Sequence, residues 1–301
     1  MTKPETAAVE DAVQAAQRND PAQRNEASPP KKGASNNLLM RVVAALVLVP
    51  LALGAAYAGG VLWTALVTLV AVGLYLEWLM VVGEVRTASV GTAGALAIAV
   101  AGICCAFGLV HVALVVLGVG LVVVAALAAG RRVWVATGFV YASAAELASV
   151  LVRLDASEGW YALVLVFLVV WASDIGGYVA GRSIGGPKLA PRVSPNKTWA
   201  GAIGGFAAGL VCAAGWSLAG AGGLVAMLAL AATLSVVSQL GDLAESAVKR
   251  RFGVKDSSHI IPGHGGLLDR LDGYVAAIVV AAILGLLRGG LDGVGRGLLV
   301  W

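Results

Sequence analysis

From Leu38 onward the chain alternates between long apolar runs and short polar breaks. Nine runs stand out, near residues 40–57, 60–82, 88–106, 109–129, 133–152, 160–180, 200–219, 223–241 and 272–288. Each is about 17–22 residues long, close to the roughly 20 that a helix needs to cross the hydrocarbon layer. The pattern predicts an all-α polytopic membrane protein with about nine transmembrane helices. Most breaks between runs are short, but those at about 181–199 and 242–271 are long and polar. Loops held by rigid elements are where chemistry concentrates, so these two are the expected active-site loops.

Residues 1–37 have a different character. They are rich in Ala, Gln, Asn, Glu, Lys and Pro, and include SPPKKGASNN at 28–37. So little apolar surface cannot offset the entropy of ordering, which predicts a disordered polar tail ahead of a membrane domain at 38–301. Residues 7–18 could form a transient helix. The apolar runs begin too far along the chain for a cleavable signal peptide.

Composition agrees: 59% of the residues are hydrophobic and 13% charged, against roughly 45–50% and 25% in soluble domains. The 40 glycines suit membrane helices, where small residues let backbones pack closely. Cys104, Cys105 and Cys212 lie in apolar runs without CxxC spacing, so they read as small buried hydrophobes. Nothing points to nucleic acid as a partner. If nine spans alternate, eighteen Lys and Arg fall on the side of the N-terminus and three on the other. The positive-inside rule then predicts a cytoplasmic N-terminus, with both long loops on the cytoplasmic side, where nucleotides are.

The second loop carries the densest chemistry. Asp242, Glu245, Ser246 and Lys249 are spaced to share one helix face. They are followed by Lys255, Asp256, the turn Pro262-Gly263-His264-Gly265-Gly266, and Asp269, Arg270 and Asp272. Carboxylates at Asp242, Asp269 and Asp272 can give Mg²⁺ hard oxygen ligands. Lys249, Arg250, Lys255 and Arg270 can balance phosphates and a leaving pyrophosphate. The turn offers backbone N–H groups with little bulk. The bland alternative is a solvated juxtamembrane loop with snorkelling cations, which so dense a mixture of acids, bases and glycines disfavours. In the first loop Lys188, Ser194 and Lys197 form a basic segment suited to a triphosphate, although alone it would pass for a linker. Asp174 lies inside the sixth run, where a carboxylate is costly and therefore a functional candidate. Glu77 and Glu146 are weaker candidates of the same kind, Asp256 is a further one, and His111 and His259 look ordinary.

Residues 246–272, SAVKRRFGVKDSSHIIPGHGGLLDRLD, resemble throughout the signature of the bacterial phosphatidate cytidylyltransferases, or CDP-diglyceride synthetases. SDIGGYVAGR at 173–182, SPNKTWAG at 194–201 and GDLAES at 241–246 look like the same family's pattern. The resemblance covers about 38–290. It implies a helical inner (plasma) membrane enzyme, often homodimeric, that transfers CMP from CTP to phosphatidic acid within membrane lipid, with Mg²⁺ and a proposed second cation. Carried over, it implies Asp242 and Asp269 as catalytic metal ligands. Lys249 and Arg250 would grip phosphates, and Ser194 and Lys197 would contact nucleotide. Ser246, His264, Gly265, Gly266 and Arg270 would complete the phosphate site.

Two rivals remain at this level. A transporter would explain nine spans and Asp174, but not the acid–base loop, and no internal repeat is visible. Another lipid head-group enzyme is the second. The D-G-x-x-A-R pattern of CDP-alcohol phosphatidyltransferases is missing, while a polyprenol kinase would be told apart by its products.

Overall fold

A computed structural model describes residues 34–84, 88–220, 222–258 and 265–301. The apolar runs form helices α1 (Ala34–Ala58), α2 (Gly60–Val82), α3 (Ala88–Ala106), α4 (Val110–Leu127), α5 (Arg132–Leu154), α6 (Gly159–Ser183), α7 (Trp199–Leu218), α8 (Leu224–Arg251) and α9 (Leu268–Gly289). A short α10 (Val294–Leu299) follows. Among the described residues, α2 to α9 are eight helices long and apolar enough to cross a membrane, and α1 adds a shorter apolar stretch, Leu46–Ala58. The protein is a multi-pass helical membrane protein. The tail at 1–33, Arg86, His259 and His264 lie outside the described residues, and α1 begins inside the segment expected as tail.

The helices differ from the apolar runs mainly at one end of the bundle. The sixth run extends to Ser183, the eighth to Arg251, and the ninth begins at Leu268. Much of what reads as polar loop is therefore helix, and Asp242, Asp269 and Asp272 are helix residues. The remaining loop at 184–198 is not wholly irregular. It holds a two-stranded antiparallel hairpin, β1 (Lys188–Ala190) and β2 (Ser194–Thr198), with Lys188 opposite Thr198 and Ala190 opposite Ser194. The Thr198 side chain then caps α7 by accepting from the Gly201 N–H, filling one of the orphan donors at a helix start.

Interhelical hydrogen bonds tie the bundle together along its length. The Trp63 and Trp78 indoles of α2 donate to Ser149 O and Trp134 O of α5, at 3.0 and 2.8 Å. Ser149 and Tyr274 join α5 to α9 at 2.9 Å, and Ser173 joins α6 to Ser235 of α8 at 2.8 Å. The α6–α7 pair is the most intimate. A Cβ at Gly205 would sit 2.6 Å from Ser173 O, and one at Gly204 3.1 Å from Gly176 O. Only glycine permits that approach, the small-residue packing that substitutes in lipid for a hydrophobic driving force.

At the far end, Asp155 pins α10. Its carboxylate accepts from the Arg296 N–H at 2.7 Å, the Ser157 hydroxyl and N–H at 2.8 and 3.0 Å, and the Glu158 N–H at 3.2 Å. Burial pushes this carboxyl up, but the hydrogen bonds together outweigh burial and hold it below its ordinary range. A depressed carboxyl contributes stability above its unfolded value of about 3.9, and loses it as pH falls through the folded value. Asp155→Asn is expected to cost about 1–3 kcal/mol at neutral pH. The deficit, read by thermal melts across pH, should shrink on acidification; a deficit independent of pH would contradict the assignment.

Candidate active site

The extended ends of α6, α8 and α9, the hairpin and the start of α7 enclose a cavity of about 940 Å³. Four acids line it: Asp174 from α6, Asp242 from α8, and Asp269 and Asp272 from α9. Four bases face them: Arg182, Lys197, Lys249 and Arg270. In α6, α8 and α9 the charged residues cluster at the end that reaches this space, with Arg288 of α9 the exception at the opposite end.

The charges form two groups. In the first, the Lys197 ammonium pairs with Asp242, whose other oxygen lies 3.5 Å from the Ser246 hydroxyl. Asp174 and Asp272 are close enough to Asp242 for their charges to interact. Three carboxylates thus share one paired lysine. In the second group, Lys249 is 8% exposed and lies between two acids, 2.7 Å from Glu245 and 2.6 Å from Asp269. Asp269 also accepts from the Ser257 N–H at 3.1 and 3.2 Å and the Gly266 N–H at 2.9 Å. Its two oxygens are engaged by donors already in the fold.

Of the residues expected from sequence, Asp174, Lys197, Asp242, Lys249, Asp269, Arg270 and Asp272 are brought together on the cavity wall. Gly265 and Gly266 stand beside Asp269. Gly265 has φ +85°, and a Cβ at Gly266 would collide with the Ser257 hydroxyl. Lys188, Ser194, Arg250, Lys255 and Asp256 do not line the cavity. Arg250 instead donates to Val193 O and Val254 O, at 3.3 and 3.2 Å, fastening the hairpin to the end of α8. Asp242 and Asp269 line the same cavity, Asp242 beside Lys197 and Asp269 beside Lys249.

Glu77 is the residue whose part sequence reasoning underrated. Fully buried at the end of α2, its carboxylate accepts from the Ser257 and Ser258 hydroxyls at 2.9 and 2.7 Å and from the Leu267 and Leu268 N–H groups, both at 2.8 Å. It ties together both flanks of segment 259–264 and the start of α9. A carboxylate near the end of an apolar run is the one local signal it gives; its partners lie far along the chain.

A family model described as "Cytidylyltransferase family" matches residues 39–287. The chain is 42% identical over 257 residues to the phosphatidate cytidylyltransferase of Brucella suis, covering 83% of this chain and 94% of that protein. It is 46% identical over 130 residues to the phosphatidate cytidylyltransferase of Haemophilus influenzae, 41% of this chain and 45% of the other. With the protein of the same name from Pseudomonas aeruginosa it shares 45% over 125 residues, 40% of this chain and 46% of the other.

Proposed function

The chain belongs to the cytidylyltransferase family, and on that premise we propose that it transfers CMP from CTP to phosphatidic acid. The products are CDP-diacylglycerol, for phospholipid synthesis, and pyrophosphate. The observation that carries this reading is the cavity in which carboxylates and cations from several helices converge at one end of a membrane bundle.

A phosphate oxygen of phosphatidic acid attacks the α-phosphorus of CTP. The bond from that phosphorus to the oxygen bridging to the β-phosphate breaks, and its electron pair leaves with pyrophosphate. The nucleophile is already anionic at neutral pH, so no strong base is required, and the protein's work is positioning and charge neutralisation. Lys197 and Arg270 contact the triphosphate. Lys249, held between Glu245 and Asp269, fixes the wall against which the phosphates rest.

The donor set of the first charge group fits Mg²⁺. Among the described residues no three His, Cys, Asp or Glu side chains stand ready to close a metal shell by themselves. That suits an ion which takes one or two carboxylates and fills its shell with water and substrate phosphates. We assign Asp242 and Asp272 to hold it, with Asp174 beside them, and Asp269 to bracing Lys249 and the Gly266 turn. When bound, the ion supplies charge neutralisation at the phosphates. The excess of Lys and Arg on the N-terminal side supports a cytoplasmic N-terminus and a cavity opening to the cytoplasm, and we assign the protein to the plasma membrane on its family alone.

The test is direct. Purified protein given phosphatidic acid, Mg²⁺ and CTP labelled at the α-phosphate should form a chloroform-soluble labelled lipid and release pyrophosphate. Lipid labelled instead from the γ-phosphate would point to a kinase and overturn the reading. Lys197→Ala is expected to raise KM for CTP about tenfold, the scale of one charge-assisted phosphate contact, with a smaller change in kcat. Unchanged CTP dependence would remove Lys197 from the triphosphate site.

A further inference from the structure

A second cavity, of about 680 Å³, opens where the start of α5 meets the end of α8. It lies near the catalytic cavity but shares no lining residue with it. Three arginines line it, Arg131, Arg132 and Arg251, and no carboxylate does. Among the described residues none of the three pairs with an acid within ion-pair distance. Like charges this close repel one another, so the arrangement needs an explanation.

The guanidiniums are held by other means. Arg131 lies 5.2 Å over the Phe252 ring and donates to Val82 O. Arg251 lies 5.9 Å over the Trp134 ring, and the two rings meet edge to face at 5.1 Å. Arg132 Nε donates to Ala128 O at 3.2 Å. Aromatic faces and carbonyls thus orient three cations around one space. The α5 N-terminus opens there too, with no side-chain cap on its N–H groups, so its dipole adds to the attraction for an anion. Leu127 and Val133, 42% and 76% exposed, flank the arginines. A ligand with an anionic head and an apolar tail matches both surfaces; a free phosphate matches one.

We propose that this cavity binds the headgroup phosphate of an anionic phospholipid, at a site distinct from the one that turns over substrate. Its reach to the catalytic wall is short. The Phe252 and Val254 N–H groups both donate to Lys249 O, so the turn carrying Phe252 continues from the residue that holds Asp269.

The test compares wild type with Arg132→Gln/Arg251→Gln in detergent by native mass spectrometry, using phosphatidylglycerol and phosphatidylcholine as probes. Phosphatidylglycerol avoids confusion with phosphatidic acid at the catalytic site. Wild type should retain phosphatidylglycerol preferentially, and the double variant should bind it about thirtyfold more weakly, the scale of removing two basic residues that face an anionic headgroup. Basal turnover without phosphatidylglycerol should be unchanged. Where the double variant fails to fold, Arg251→Gln, which loses a ring contact alone, should still weaken retention. Equal retention by variant and wild type would overturn the site and leave the arginines as topology determinants. Displacement of the lipid by inorganic phosphate as readily as by added phosphatidylglycerol would overturn the lipid assignment.

Discussion

Asp242→Asn should lower kcat at least about a hundredfold, the scale of losing one strong transition-state interaction worth roughly 2.7 kcal/mol. Asn keeps the shape and one acceptor oxygen but removes the charge that pairs with Lys197 and acts on Asp174 and Asp272. Metal binding and folding should respond differently. Affinity for Mg²⁺ should fall, because a hard cation loses a formal charge in its donor set. The folded protein should change little, because relief of repulsion among three neighbouring carboxylates offsets the lost pairing with Lys197. Steady-state rates against Mg²⁺ concentration, with size-exclusion profiles as the control, read both. Near-normal turnover at saturating Mg²⁺ in a monodisperse Asp242→Asn protein would remove this residue from the reaction.

Glu77→Ala should disable the site without touching the cavity wall. Four donors lose one carboxylate acceptor, and hydrogen bonds to a charged group are worth about 1.5–3 kcal/mol each. The loss falls on the flanks of segment 259–264 and on the first turn of α9, where Gly266 and Asp269 sit, rather than on the packed helices. We therefore expect turnover to fall at least about tenfold and amide exchange at 257–258 and 267–269 to speed up, with little change in the melting of the bundle. Glu77→Gln, which keeps an acceptor in place, should recover part of both. Wild-type exchange at those amides in Glu77→Ala would show that Glu77 does not position the turn.

How far the sequence reveals this site depends on what kind of contact makes it. Hydropathy marks the helices because lipid rewards apolar side chains, and it misplaces their ends for the same reason. Residues 242–251 and 268–272 fall outside the apolar runs because they are charged, yet they belong to α8 and α9, as the shared-face spacing of Asp242, Glu245, Ser246 and Lys249 indicates for the first stretch. Asp242, Lys249 and Asp269 stand out by local density of charge. Glu77 does not, because its partners are two serines and two backbone amides far away in the chain. The hairpin at 188–198 is hidden too: Pro187, Pro191 and Pro195 mask strands short enough to tolerate them at an edge. Arg250 shows what a motif leaves out: its place suggests a phosphate contact, and only the fold shows that its side chain also donates to Val193 O and Val254 O.

The glycine seam between α6 and α7 has a bearing on how such an enzyme can change. Gly177, Gly181 and Gly201 both belong to the surfaces where the two helices touch and line the candidate active-site cavity. A Cβ at Gly201 would lie 2.9 Å from Gly177 O, so one added methyl group would spread the helices and alter the cavity wall together. At these positions packing and substrate space are a single variable, and selection acting on one acts on the other. A side chain added at one of these glycines is therefore expected to change helix spacing and cavity shape in one step.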